Sequence, residues 1–131
     1  MSYLKKPKRP LKLSKILEKI DDYLLAELKE ERGTRCELCG KSQQLGLFHV
    51  LPKGTHPRLR LSKSNLLIAG WFCCHLPWHH SYYEARDRLV PRIKELLGDD
   101  YEERLLALEM TLPKLDRVIL EALLKSYEEK L

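Results

Sequence analysis

Four cysteines in two close pairs constrain this chain more than any other feature. Cys36 and Cys39 form a C-x-x-C turn, and Cys73 and Cys74 are adjacent. Structural zinc takes four ligands in a tetrahedron, and a C-x-x-C turn can supply two of them. The second pair is the obvious source of the other two, so the sequence predicts that both segments fold onto one ion. A redox dithiol or unpaired core thiols are the alternatives.

The residues that carry chemistry concentrate in the middle of the chain. All five histidines, both tryptophans and three of the four cysteines lie between residues 38 and 83. The same stretch contains five Lys or Arg and no Asp or Glu. Because such a segment attracts polyanions, we interpret it as the functional unit and the flanks as scaffold.

Length and hydropathy predict one small domain without a membrane span. The chain has 131 residues, of which 44% are hydrophobic. Its longest apolar run, from Leu66 to Cys74, is about half of the roughly 20 residues that a spanning helix needs. The N-terminus is charged where a signal peptide would be apolar. We therefore expect a cytoplasmic protein with no membrane partner, in which the thiols stay reduced.

The order of patterns predicts an α+β fold in four parts. Residues 1–13 are expected to form a basic flexible arm, and residues 14–33 a helix that begins after a Ser14 cap and stops at Gly33. Residues 34–86 hold the core, with strands over 45–50 and 66–69 and a helix after Pro77. Residues 87–131 are expected to be helical scaffold, with a possible break at Pro91 and helices opening near Asp99 or Asp100 and near Thr111 and Pro113.

His75 and His79 are predicted to share one face of a helix because they are four residues apart. Cys74 would point elsewhere, so one helix start could give a thiolate to structural zinc and two imidazoles to a second ion. Two other interpretations stay open. The histidines could simply pack around the zinc, or His79 could itself be the fourth zinc ligand.

These residues resemble the HNH, or ββα-metal, endonucleases. The family pattern is a C-x-x-C turn, a strand with a histidine, an asparagine before a second strand, and a C-H-x-x-x-H helix. This chain offers these elements in that order at Cys36 and Cys39, His49, Asn65, and Cys74, His75 and His79. A more local similarity, from Gly54 to Asn65, is to the lambda NinG type of phage recombination protein.

The HNH resemblance implies a zinc-supported ββα-metal core, framed here by the N-terminal and C-terminal helices, and a role for each matched residue. His49 would be the general base, and Asn65 would orient it or its loop. His75 and His79 would hold a catalytic Mg²⁺ or Mn²⁺ against the scissile phosphate. Cys36, Cys39 and Cys74 would bind structural zinc.

The chain departs from the family pattern at two positions. Phe48 stands where the family usually has a further metal ligand, and Gly70 stands where it tends to have a cysteine. We nominate Cys73 as the fourth zinc ligand for this reason. His79 or His80 are the alternatives.

The expected partner is DNA, contacted mostly at its backbone. Four basic residues flank the loop after His49 and could bind phosphates without reading bases: Lys53, Arg58, Arg60 and Lys63. Trp71 and Trp78 could stack on a base, but core positions are expected more often. A homodimer through the apolar stripe of Leu115, Ile119 and Leu123 is left open.

The sequence therefore favours a divalent-metal-dependent DNA endonuclease or nickase in a phage-like or recombination setting. The main rival is a noncatalytic zinc module that binds DNA or a protein partner, which the phenylalanine at position 48 would favour. A thiol redox protein is disfavoured by the second cysteine pair and the histidines beside it.

Overall fold

A computed structural model of the chain describes residues 9–80 and 82–130. Within these ranges the chain forms five α-helices and a two-stranded antiparallel sheet, so the predicted α+β class is confirmed. Most of the predicted basic arm, residues 1–8, lies outside the described residues. The elements are α1 (Leu13–Arg32), β1 (Leu45–His49), β2 (Leu66–Gly70), α2 (Leu76–His80), α3 (Tyr82–Leu97), α4 (Tyr101–Thr111) and α5 (Arg117–Glu129).

Helix α1 forms where its apolar spacing predicts it. Ile16, Ile20, Leu24 and Leu28 recur every four residues and are all buried. Gly33 follows the helix with a φ of 94°, a conformation that glycine adopts without steric cost. The predicted Ser14 cap is wrong, because the helix already includes Leu13 and no side chain caps its first turn.

Strand β2 is buried along its whole length because it is covered on both faces. Leu66 and Ile68 pack against Leu24 and Leu28 of α1. The alternate residues, Leu67 and Ala69, belong to a second core with α3 and α4. Strand β1 pairs with β2 in a register that sets His49 opposite Leu66, so the strand histidine lies next to the α1 side of the sheet.

The C-terminal helices differ from the sequence expectation at two points. Helix α3 continues through Pro91, with Leu89 and Ile93 buried on either side, so the possible break there does not occur. Helix α5 begins at Arg117 and not near Pro113, because the Asp116 side chain accepts a hydrogen bond from the Ile119 amide and caps it.

Helix α5 packs back onto α1. Leu120 and Leu124 are buried against Ile16 and Ile20, and Leu115 and Leu123 pack at the margin of the same cluster. Two residues of the stripe offered for a homodimer therefore have contacts within the chain, and the dimer stays a prediction. In the described parts of the chain, no helix has the length and apolar character needed to cross a membrane.

Candidate metal centre and histidine cavity

The four cysteines meet in one cluster. Their sulfur atoms all lie within 4.8 Å of one another, and none is in a disulfide. The Sγ atoms of Cys36 and Cys74 are 3.7 Å apart. Two sulfurs bound tetrahedrally at about 2.3 Å from zinc would be about 3.8 Å apart. The cluster could therefore hold a metal ion such as zinc.

Glu37 holds the C-x-x-C turn against strand β2. Its backbone amide donates to the Ile68 carbonyl at 2.8 Å, and its carboxylate accepts from the Ile68 amide at 2.7 Å. Cys36 and Cys39, on either side of Glu37, are thereby held beside β2, two residues before its end. The second cysteine pair follows that end directly, so the two pairs converge.

The adjacent cysteines lie in a wide turn of π-helix, Trp71–His75, between β2 and α2. Such turns are rare and occur frequently at functional sites. In this turn both Cys73 and Cys74 contribute a sulfur to the cluster. Among the described residues, the four cysteines form a group of metal-ligating side chains that are close enough to share one ion. Neither His79 nor His80 belongs to that group.

Gly70 makes room for the Cys73 sulfur. A Cβ atom built on Gly70 would lie 2.6 Å from the Cys73 Sγ, closer than any ordinary contact. The thiol of Cys73 thus occupies the volume that a side chain at position 70 would enter.

Gly70→Ala should therefore weaken metal binding without changing a ligand. We expect its zinc affinity to fall about 10- to 100-fold, the size of effect that misaligned ligands usually have. Competition with a chromogenic chelator measures this change. Gly46→Ala is the control, because nothing lies within 4 Å of a Cβ at Gly46. Equal affinities in the two variants would contradict the assignment of Cys73.

The thiols influence one another's ionisation. Burial raises the pKa of Cys73 to about 11, and burial with the nearby Cys36 also raises the pKa of Cys74. Burial raises the pKa of Cys39 as well, but hydrogen bonds from the Lys41 backbone and the other thiols outweigh it and leave that pKa at about 7. Several thiolates this close repel one another, and a bound cation would remove that repulsion.

A cavity of about 520 Å³ adjoins the π-helical turn at His75. The predicted general base His49 and the two predicted metal ligands His75 and His79 line it. Lys53 lines it as well, and so do Asp21 and Asp22 of α1, which the sequence analysis did not select. These two acids directly follow Ile20, a buried residue of α1. The sequence around them does not indicate that they share a cavity with strand β1, which is far from them along the chain.

His49 is held by the backbone of the following loop. Its Nε2 atom lies 2.9 Å from the carbonyl oxygen of Arg60. Burial lowers the pKa of His49 to about 4, although the hydrogen bond to Arg60 works in the opposite direction. The ring is therefore neutral near pH 7, which a general base requires.

Asn65 is fully buried and fixes the shape of the loop, not the His49 ring. Its side chain accepts from the Leu51 amide at 2.8 Å and donates to the Leu51 carbonyl at 3.0 Å. A weaker contact reaches the Leu59 carbonyl at 3.5 Å. The two ends of the loop between the strands are thus tied together.

His75 and His79 converge with their Nε2 atoms 3.1 Å apart. Two imidazole nitrogens bound at about 2.1 Å to one ion would lie roughly 3.0 to 3.4 Å apart, for bond angles between octahedral and tetrahedral. Burial and, to a smaller extent, the charge of the neighbouring His79 lower the pKa of His75 to about 4, so the ring is neutral near pH 7. Phe48 is buried with its ring edge against His75 and Trp78.

The four predicted DNA-binding residues divide into two groups. Arg60 forms an ion pair with Asp21, and Lys63 forms two with Glu27 and Glu31, all on α1. Lys53 and Arg58 are exposed and, among the described residues, have no such pair. The tryptophans also separate, since Trp78 is buried whereas Trp71 is 40% exposed beside His75.

Comparisons with family models, with curated proteins and with solved structures give no match to this chain.

Proposed function

We propose that this protein is a divalent-metal-dependent endonuclease or nickase that hydrolyses DNA phosphodiester bonds. The observation that carries the proposal is the cavity lined by His49, His75 and His79, in which the last two present converging nitrogens. Strand β1, strand β2 and helix α2 follow one another along the chain. This order supports the proposal because it is the order of elements in the ββα-metal arrangement that the sequence resembles.

Two metal ions with different roles belong to this proposal. Structural zinc fits the four thiols, whose spacing and donor chemistry suit it. The second ion would be held by His75 and His79, and their imidazoles favour Mn²⁺ over Mg²⁺. When bound, it supplies positive charge that stabilises the phosphodiester group under attack.

His49 is proposed as the general base. Its ring is neutral, and a carbonyl oxygen engages one of its two nitrogens. The other nitrogen can take a proton from a water molecule as that water attacks phosphorus, the P–O bond to the leaving sugar oxygen breaks, and that oxygen takes a proton from solvent. Asn65 supports this role by fixing the loop that carries Arg60, the hydrogen-bond partner of His49.

Substrate binding would rely on the DNA backbone. Lys53 at the cavity and the exposed Arg58 form no ion pair among the described residues, so they are the cations best able to contact phosphates. Arg60 and Lys63 are already paired with α1 and would contribute less.

A noncatalytic zinc module that binds DNA or a protein is the second candidate. It is favoured by Phe48, which is buried in the core and cannot act as the further ligand that the HNH family usually has at this position. Under this alternative the histidines would only pack beside the zinc site.

Supercoiled plasmid separates the two candidates. We expect zinc-loaded protein with added Mn²⁺ to convert the plasmid to nicked or linear DNA, and the same protein with Mg²⁺ to do so more slowly. EDTA, at a concentration that leaves the zinc bound, should stop the reaction. DNA bound without any cleavage under all these conditions would support the noncatalytic module.

A further inference from the structure

An ion pair joins α1 to the loop that carries the partner of His49. The Arg60 Nη2 donates to the Asp21 Oδ2 at 2.9 Å, and the two side chains are only 21% and 25% exposed. The Arg60 Nε and the Asp21 Oδ1 are both buried, and neither has a hydrogen-bond partner among the described residues. In a two-pronged arginine–carboxylate pair these two atoms form the second hydrogen bond, so they are the groups that such a pair would satisfy.

The same arginine contacts His49 through its backbone. Its carbonyl oxygen accepts a hydrogen bond from the His49 Nε2 at 2.9 Å. Arg60 ends a short helical turn, Pro57–Leu59, and its amide donates to the Pro57 carbonyl. With the backbone held on one side and the side chain anchored to α1 on the other, the carbonyl is fixed in direction.

That contact selects one tautomer of the His49 ring. A carbonyl oxygen can only accept, so the Nε2 atom must carry the proton. In a neutral ring this leaves Nδ1 without a proton and able to accept one. Losing the fixed carbonyl would let the ring rotate or exchange tautomers, and the accepting nitrogen would no longer be defined.

We propose that Asp21 is a positioning residue for His49 and acts through Arg60. The positioning role of Asp21 rests on the proposed function only because it takes His49 to be the general base. Arg60, which the sequence indicated as a DNA contact, then supports the loop that positions His49.

Lys63 provides a matched control on the same two elements. Its ammonium group donates to Glu27 at 2.8 Å and to Glu31 at 2.6 Å, so it also ties this loop to α1. The ammonium group of Lys63 pairs with Glu27 and Glu31, whereas the His49 ring contacts the backbone of Arg60. Glu31→Gln therefore weakens a comparable tether without touching the proposed positioning path.

The test compares Asp21→Asn, Arg60→Gln, their double variant and Glu31→Gln in the full-length, zinc-loaded protein. Ring ¹⁵N shifts of His49, measured by NMR without DNA or Mn²⁺, report the tautomer. Single-turnover cleavage and the KM for DNA report function. Thermal unfolding and zinc content confirm that each variant is folded.

We expect the wild type and Glu31→Gln to show His49 protonated at Nε2, and Asp21→Asn to show a mixture of tautomers. The cleavage rate of Asp21→Asn should fall about 10- to 100-fold with KM unchanged, as for other groups that orient a working imidazole. The double variant should be no worse than either single one, since all three break the same interaction.

An unchanged His49 tautomer in Asp21→Asn would overturn the proposal. So would a loss of Mn²⁺ affinity in that variant with the tautomer intact, because Asp21 would then act on the metal. A wild type that cleaves nothing would refute the proposed function instead, and the ¹⁵N shifts would still decide whether Asp21 positions His49.

Discussion

Cys36→Ser should leave the protein without bound metal and largely unfolded around the cysteine cluster. Binding of zinc to four thiolates contributes on the order of 10 kcal/mol to the folded state of small domains. We expect the free energy of unfolding to fall by about 5 kcal/mol or more. Elemental analysis for zinc and urea unfolding followed by circular dichroism measure the two effects, against about one zinc per chain in the wild type.

Cys39→Ser distinguishes a metal effect from a packing effect. Cys36 is 2% exposed, whereas Cys39 is exposed, so simple loss of packing should harm only the first variant. If a metal holds the cluster together, both variants should lose it and both should be strongly destabilised. A Cys39→Ser protein as stable as the wild type, or wild type that folds without metal, would contradict the zinc assignment.

Local patterns in the sequence were sufficient for most of the fold. The spacing of Ile16, Ile20, Leu24 and Leu28 predicted α1, and Gly33 marked its end correctly, whereas the helix begins two residues earlier than a Ser14 cap would allow. The short apolar runs predicted both strands, because a strand of five residues is defined by its own side chains and by the turns around it. The bounds of α5 were harder to predict, since Asp116 caps the helix and Pro113 does not.

The candidate site was predictable where it is local and not where it is assembled across the chain. Cys36, Cys39 and Cys74 follow from spacing, and His75 and His79 from helical periodicity. Cys73 was nominated from the second cysteine pair, but the π-helical turn in which both adjacent cysteines contribute a sulfur to the cluster is not indicated by any simple periodicity.

The contacts of the α1 carboxylates were likewise not predictable from the local sequence. Asp21 lies 39 positions from Arg60 in sequence, and only the packing of α1 over the sheet brings them together. Glu27 and Glu31 reach Lys63 for the same reason. An acid-free segment therefore does not predict a uniformly positive surface, because a neighbouring helix can neutralise part of its charge.

His49→Ala should abolish most DNA cleavage while leaving the protein folded. General bases usually contribute about 10²- to 10⁴-fold to the rate. The His49 ring lies at the cavity and has one backbone partner, so its removal should cost little stability and should not disturb the thiols. Zinc content, DNA affinity and the thermal transition should stay close to those of the wild type.

His56→Ala is the matched histidine control. His56 lies in the same loop, but its Nδ1 atom pairs with Glu109 of α4 at 2.7 Å. Its loss should affect the packing of the loop on α4 and leave the chemical step within about a few-fold of wild type, since general-base catalysis would be intact.

The most direct test of the central claim is the ratio of single-turnover cleavage rates of wild type and His49→Ala at equal zinc content and saturating Mn²⁺. We expect the wild type to cleave duplex DNA and His49→Ala to be slower by a factor of about 100 or more. A ratio near one would return His49 to a structural role, and a wild type that binds DNA without cutting it would contradict the nuclease proposal.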